Sequence, residues 1–131
     1  VPLPDPQARA AEWLKRVYLD HVADARVHEF SRGMRQRLAV ARAFIHDPDV
    51  ILFDEPFTSL DDKAIALLQS ILSDALGRGK SVVLSTHQLR EAMELATHVA
   101  LLDRGKLKHF GARPVEMLSD PTWLYRTYGV S

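Results

Sequence analysis

Cysteine is absent from the chain. Its absence excludes a disulfide framework and any thiolate metal site, and suits a reducing compartment. Net charge is absent too, with 17 Lys and Arg against 17 Asp and Glu. That balance gives no sign of a basic arm for nucleic acid or of an acidic tail. No apolar run approaches the roughly 18 residues needed to span a bilayer. The six histidines show no metal-ligand spacing. Internal repeats and low-complexity segments are lacking. What remains is 131 residues, 47% hydrophobic and 26% charged, the profile of one ordinary globular domain. The first residue is Val1, and "VPLPDP" holds three prolines in six positions. We expect a piece of a longer chain.

The pattern predicts a helix from Asp5 to Tyr18, with Asp5 as N-cap and Pro6 at the first helical position. Residues Leu19 to Phe30 read as irregular. Ser31 precedes a second helix to about Ile45, closed by Asp47-Pro48. "VILF" at Val50 to Phe53 is a continuous apolar run, which predicts a strand buried on both faces. Asp61 or Asp62 caps a long amphipathic helix ending near Leu76. "SVVLS" at Ser81 to Ser85 reads as a second buried strand. A short helix follows from Gln88 to Ala96. His98 to Asp103 reads as a third strand, Arg104-Gly105 as a tight turn, and Lys106 to Phe110 as a strand running back. Short helices are expected at Pro114 to Leu118 and Thr122 to Tyr128. Strand–helix–strand–helix–strand is the grammar of a doubly wound α/β domain. The first 46 residues are helical and lie outside that alternation.

"LGRGKS", Leu76 to Ser81, ends like a phosphate-binding loop. That motif is G-x-x-x-x-G-K-[ST] between a strand and a helix. Here the residue five before Gly79 is Asp74, and the order is helix then strand. Phosphates sit on helix N-terminal N–H groups, whereas a helix C-terminus offers carbonyls. Gly77 is read instead as the left-handed residue that stops the helix, with the Lys80 charge near the helix end. The chain has no P-loop.

Three other stretches carry chemistry. In "VILFDEP" a strand ends in Asp54-Glu55, where open α/β sheets place their ligands. Alternating side chains give the two acids different tasks. One can support the hydration shell of Mg²⁺, and the other can deprotonate an attacking water. In "FSRGMRQRLAVARAF" Ser31 can cap a helix, and Gly33 allows close approach of a ligand to the backbone. A helix N-terminus there suits an anion. In "LSTHQL" His87 follows the second strand, where it can bond a terminal phosphate or the water. Each stretch alone also fits a bland reading: a solvated turn, a capped helix, a surface histidine.

Together, in this order, they resemble the ATP-binding cassette (ABC) ATPase family. "FSRGM" looks like the signature motif LSGGQ. "ILFDEP" looks like Walker B with its catalytic Glu, "TSLD" like the D-loop, and "STH" like the switch histidine loop. The resemblance implies part of a P-loop NTPase fold: a mostly parallel sheet with flanking helices, preceded by part of the helical subdomain. Residues 1–46 would be that helical remnant with the signature, and 47–131 the C-terminal part of the RecA-like core. It further implies that Asp54 supports Mg²⁺, Glu55 is the general base and His87 contacts the γ-phosphate. Ser31 and Gly33, with Met34 beside them, would meet an ATP bound to the opposite subunit, and Asp61 would communicate across the dimer. ATP and Mg²⁺ are the implied cofactors. A transmembrane permease and a second ATPase subunit, arranged head to tail, are the implied partners. The location implied is cytoplasmic, peripheral on the inner face of the membrane.

The match is not complete. Phe30, Arg32 and Met34 stand where the signature has Leu, Gly and Gln, and Met34 loses any polar contact made there. "GMRQR" resembles export-type bacterial cassettes. The family's P-loop lies upstream of the signature and is missing here. Its strand belongs between Ser81–Ser85 and Val99–Asp103, so an open edge or gap is expected. We therefore expect an ATPase fragment that is inactive alone. The alternatives are a cassette ATPase acting on DNA or ribosomes, and a short regulatory chain that presents a signature motif without a P-loop.

Overall fold

The computed structural model describes residues 5–130; the proline-rich opening at 1–4 lies outside the described residues. Helix α1, Pro6–Arg16, starts as its sequence dictates: the Asp5 carboxylate accepts from the Gln7 N–H, and Pro6 occupies the first turn. Two short 3₁₀ turns, Asp20–Val22 and Val27–Glu29, lead to α2, Arg32–Phe44. The Ser31 hydroxyl accepts from the Met34 N–H at 3.1 Å and caps α2. Strand β1, Val50–Asp54, is followed by α3, Asp62–Gly77, whose N-cap Asp61 accepts from the Ala64 N–H at 2.8 Å. Strand β2, Ser81–Ser85, pairs with β1 in parallel, Leu52 opposite Val83 and Asp54 opposite Ser85.

The stop of α3 corrects the sequence reading. Gly77 is the last helical residue, and Gly79 (φ 83°) takes the left-handed position. The Gly79 N–H donates to the Leu76 carbonyl and the Lys80 N–H to the Ala75 carbonyl. These are the two bonds of a Schellman motif, which needs its left-handed residue one place beyond the C-cap. Here the C-cap is Arg78.

The two strands also differ from expectation. Ile51 is buried, but Val50 is 58%, Leu52 73% and Val83 60% exposed. An apolar run reports hydrophobicity on both faces of a strand, not what covers each face. Helix α3 packs against β2 and buries Ala64, Leu68, Ile71, Leu72 and Ala75. Each buried Leu or Ile there contributes about 1.5–3 kcal/mol. The other face carries the exposed row Val50, Leu52 and Val83. The described residues put no further strand on the free edge of β2.

Contacts part the chain into two compact units, dividing after Ser85. The change from helical content to strand alternation at 46/47 falls inside the first unit. In the second, α4 (Leu89–Met93) precedes β3 (His98–Asp103) and β4 (Lys106–Ala112). The last two form an antiparallel hairpin with an irregularity at Leu101/Leu102. Its turn has both Arg104 (φ 50°) and Gly105 (φ 75°) left-handed, the geometry that matches strand twist. A 3₁₀ turn, Val115–Leu118, and α5, Trp123–Thr127, complete it. The fold is α/β as read, with one parallel and one antiparallel strand pair.

An ion-pair chain ties the first unit together. Arg16 and Arg78 both reach Asp74, Arg78 also reaches Asp47, and Lys80 reaches Asp47 and Asp49. The Lys80 ammonium, then the Arg78 guanidinium, hold the Asp47 carboxyl below its ordinary value. A depressed Asp stabilises the fold above its ordinary pKa, and that contribution is lost as pH falls through the depressed value. Asp47→Asn is therefore expected to lower the melting temperature slightly at pH 7. At a pH below that depressed value, where both forms are neutral, the gap closes. Asn tolerates the left-handed backbone that Asp47 adopts (φ 49°), so the comparison isolates charge. Thermal unfolding of both proteins at the two pH values checks this; a constant gap contradicts it.

Candidate active site

The end of β1 is held from several directions. The Glu55 N–H donates to the Ser85 carbonyl at 2.8 Å, prolonging the ladder by one bond. Glu55 itself is left-handed (φ 50°), a conformation that costs a non-glycine residue of order 1–2 kcal/mol. Its carbonyl accepts from the Thr58 N–H and from the Gln36 amide of α2, and Gln36 also donates to the Pro56 carbonyl at 2.7 Å. These bonds fix the Glu55 backbone despite the strain, and strain of this kind concentrates at functional sites. Beneath the turn, Pro56 and Phe57 are fully buried. Asp54 shares the open face with Val50 and Leu52 by strand alternation. It is exposed, and one carboxylate oxygen accepts from the Ser85 hydroxyl, its register partner.

Three of the residues singled out by sequence converge on one surface depression in the same unit. Ser31, Gly33 and Asp61 line it, together with Ser59, Tyr18 and Lys63; its volume is about 440 Å³. Gly33 does have a close neighbour, but in this structure it belongs to the protein. A Cβ there would stand 3.2 Å from the Ser59 carbonyl oxygen. Glycine thus lets the first turn of α2 approach the turn that follows β1. The N-termini of α2 and α3 both reach the depression, and helix N-termini favour anions. Ser31 and Asp61 also serve as caps, so each has a structural role besides any contact with ligand. Met34 is half-buried, and its N–H is used by Ser31.

His87 is exposed in the bend before α4 and belongs to the second unit. Lys80, the lysine of the false P-loop, is engaged by Asp47 and Asp49. Among the described residues no group of three or more His, Asp or Glu is arranged to hold a metal.

Sequence reasoning missed Gln36 and Ser85. Their partners are 19 to 31 residues away and, for Gln36, are backbone carbonyls. A single Gln in a basic helix gives no local sign of that role. Gln36→Leu leaves the two carbonyls it serves without that donor, and is expected to cost about 1–3 kcal/mol. Urea unfolding measures it, and a cost under about 0.5 kcal/mol, the range of ordinary surface substitutions, contradicts the bridge.

The model of the ABC transporter family matches residues 5–58. Nod factor export ATP-binding protein I of Cupriavidus metallidurans is 41% identical over 110 residues, 84% of this chain and 36% of that protein. Molybdenum import ATP-binding protein ModC of Mycobacterium tuberculosis is 41% identical over 106 residues, 80% of this chain and 29% of that protein. A solved ATP-binding subunit of an ABC transporter matches with a TM-score of 0.77 at 26% identity, over 95% of this chain and 49% of that one. The class is thus that of ABC-type ATP-binding subunits, and this chain belongs to the ABC transporter family. It spans about a third of the curated relatives it matches and about half of the solved subunit.

Proposed function

We propose that this chain is the signature-to-C-terminus part of an ATPase subunit, and that the full-length protein hydrolyses ATP to drive transport through a membrane-embedded partner. The observation that carries the reading is in the first unit. There, Asp54 ends a strand and Glu55 follows it, while Ser31, Gly33 and Asp61 line a single depression. Mg²⁺, when bound with ATP, would neutralise phosphate charge. Asp54 would hold the ion's water shell, and Glu55 would take the proton of the attacking water. Ser31 and Gly33 would meet the phosphates of a nucleotide held by a second subunit, and His87 would contact the terminal phosphate. The exposed row Val50, Leu52 and Val83, with the free edge of β2, is where the remainder of the larger protein would pack.

The subunit would be cytoplasmic and peripheral to the membrane; among the described residues no helix is long and apolar enough to cross one. Export is the direction we propose, on the "GMRQR" wording and the longer match to the export relative. The import relative is equally identical, so transport in inverted vesicles decides the direction. Balanced charge weighs against a role on DNA or ribosomes. The test of the dimer is light scattering on full-length protein carrying Glu55→Gln. MgATP is expected to double its mass, and adding Ser31→Arg to prevent this. A dimer that survives Ser31→Arg overturns the assignment of the depression.

A further inference from the structure

We infer that Lys63 is a further phosphate-binding residue of the signature depression, held in place by the ring of Tyr18. The inference rests on the proposal that Ser31 and Gly33 face a nucleotide. Lys63 lies in the first turn of α3, where the helix dipole is positive and a cation is mildly unfavourable. A second helix N-terminus, that of α2, reaches the same depression. A cation placed against both helix ends breaks the local rule, and such breaks are expected where a ligand compensates them. Asp61 lines the same depression, but one of its carboxylate oxygens is bonded to the Ala64 N–H.

The Lys63 ammonium stands 4.8 Å from the centroid of the Tyr18 ring, so an aromatic face rather than a carboxylate holds it. That leaves its charge available to an anion. Tyr18 is in turn fixed from α2. It is left-handed (φ 62°), and the Arg37 guanidinium donates to the carbonyls of Val17, at 2.9 Å, and Tyr18. Arg37 is thereby spent on the backbone, and Lys63 is the basic side chain of the depression left to face phosphate. Lys63 binds; Tyr18 positions it.

The experiment is steady-state MgATP hydrolysis by the full-length protein. Lys63→Met is expected to raise KM for MgATP about five- to tenfold, with kcat within about twofold. It should also flatten the rise of KM with added NaCl. Lys63→Arg is expected to retain the wild-type KM. Tyr18→Phe keeps the ring and the KM, whereas Tyr18→Leu raises KM about threefold, as loss of a cation–π contact would. Lys80→Met, at the false P-loop, is expected to leave KM unchanged. A wild-type KM and salt dependence for Lys63→Met, with Ser31→Arg inactive, overturns this inference and leaves the assignment of the depression standing. Wild-type kinetics for Ser31→Arg overturn both.

Discussion

Glu55→Gln in the full-length protein is expected to lower MgATP turnover by about a hundredfold or more, the usual contribution of a general base. ATP binding should be retained, because Gln keeps the shape of Glu and removes only its capacity to accept a proton. The residue is held by its backbone. Its N–H is bonded to Ser85 and its carbonyl to Gln36 and Thr58. Those bonds are all to backbone atoms of Glu55 and survive the substitution. The left-handed backbone (φ 50°) of this half-buried residue is kept at a cost of order 1–2 kcal/mol. Turnover and nucleotide affinity measured together check this. A variant that loses ATP affinity, or keeps more than about a tenth of the wild-type rate, contradicts the role given to Glu55.

Phe57→Ala is expected to destabilise the fold by about 3–5 kcal/mol, the range for emptying a buried aromatic site. Phe57 is fully buried and lies between Glu55 and Ser59 in the turn after β1. Removing the ring takes away its burial and leaves a cavity under the turn. The damage should reach both halves of the site, because this turn carries Glu55 and also the Ser59 carbonyl that faces Gly33. The loss is a large share of the 5–15 kcal/mol typical of a domain. Urea unfolding gives the magnitude; a loss below about 1.5 kcal/mol would mean that the turn is not anchored by packing.

Local chemistry was the legible part of the sequence. Asp5-Pro6, Ser31 and Asp61 start helices because each offers an acceptor just before a periodic apolar run. Arg104-Gly105 turns the hairpin as read. Gly77 against Gly79 was not legible, because two glycines stood one residue apart and the choice lies in which carbonyls the following N–H groups reach. Burial of β1 and β2 was not legible either. Val50, Leu52 and Val83 are as apolar as core residues, yet one face of the sheet is open. Within the site, residue types and order pointed to Ser31, Gly33 and Asp61, and the fold gathers all three. The bridge from Gln36 was hidden because it joins a helix to the backbone of a turn 19 residues away.

The central proposal is that these parts hydrolyse nothing without a segment that grips the phosphates. MgATP hydrolysis by the purified 131-residue chain tests it most directly. No turnover above that of its Glu55→Gln variant is the expected result. Turnover that disappears in Glu55→Gln would contradict the account.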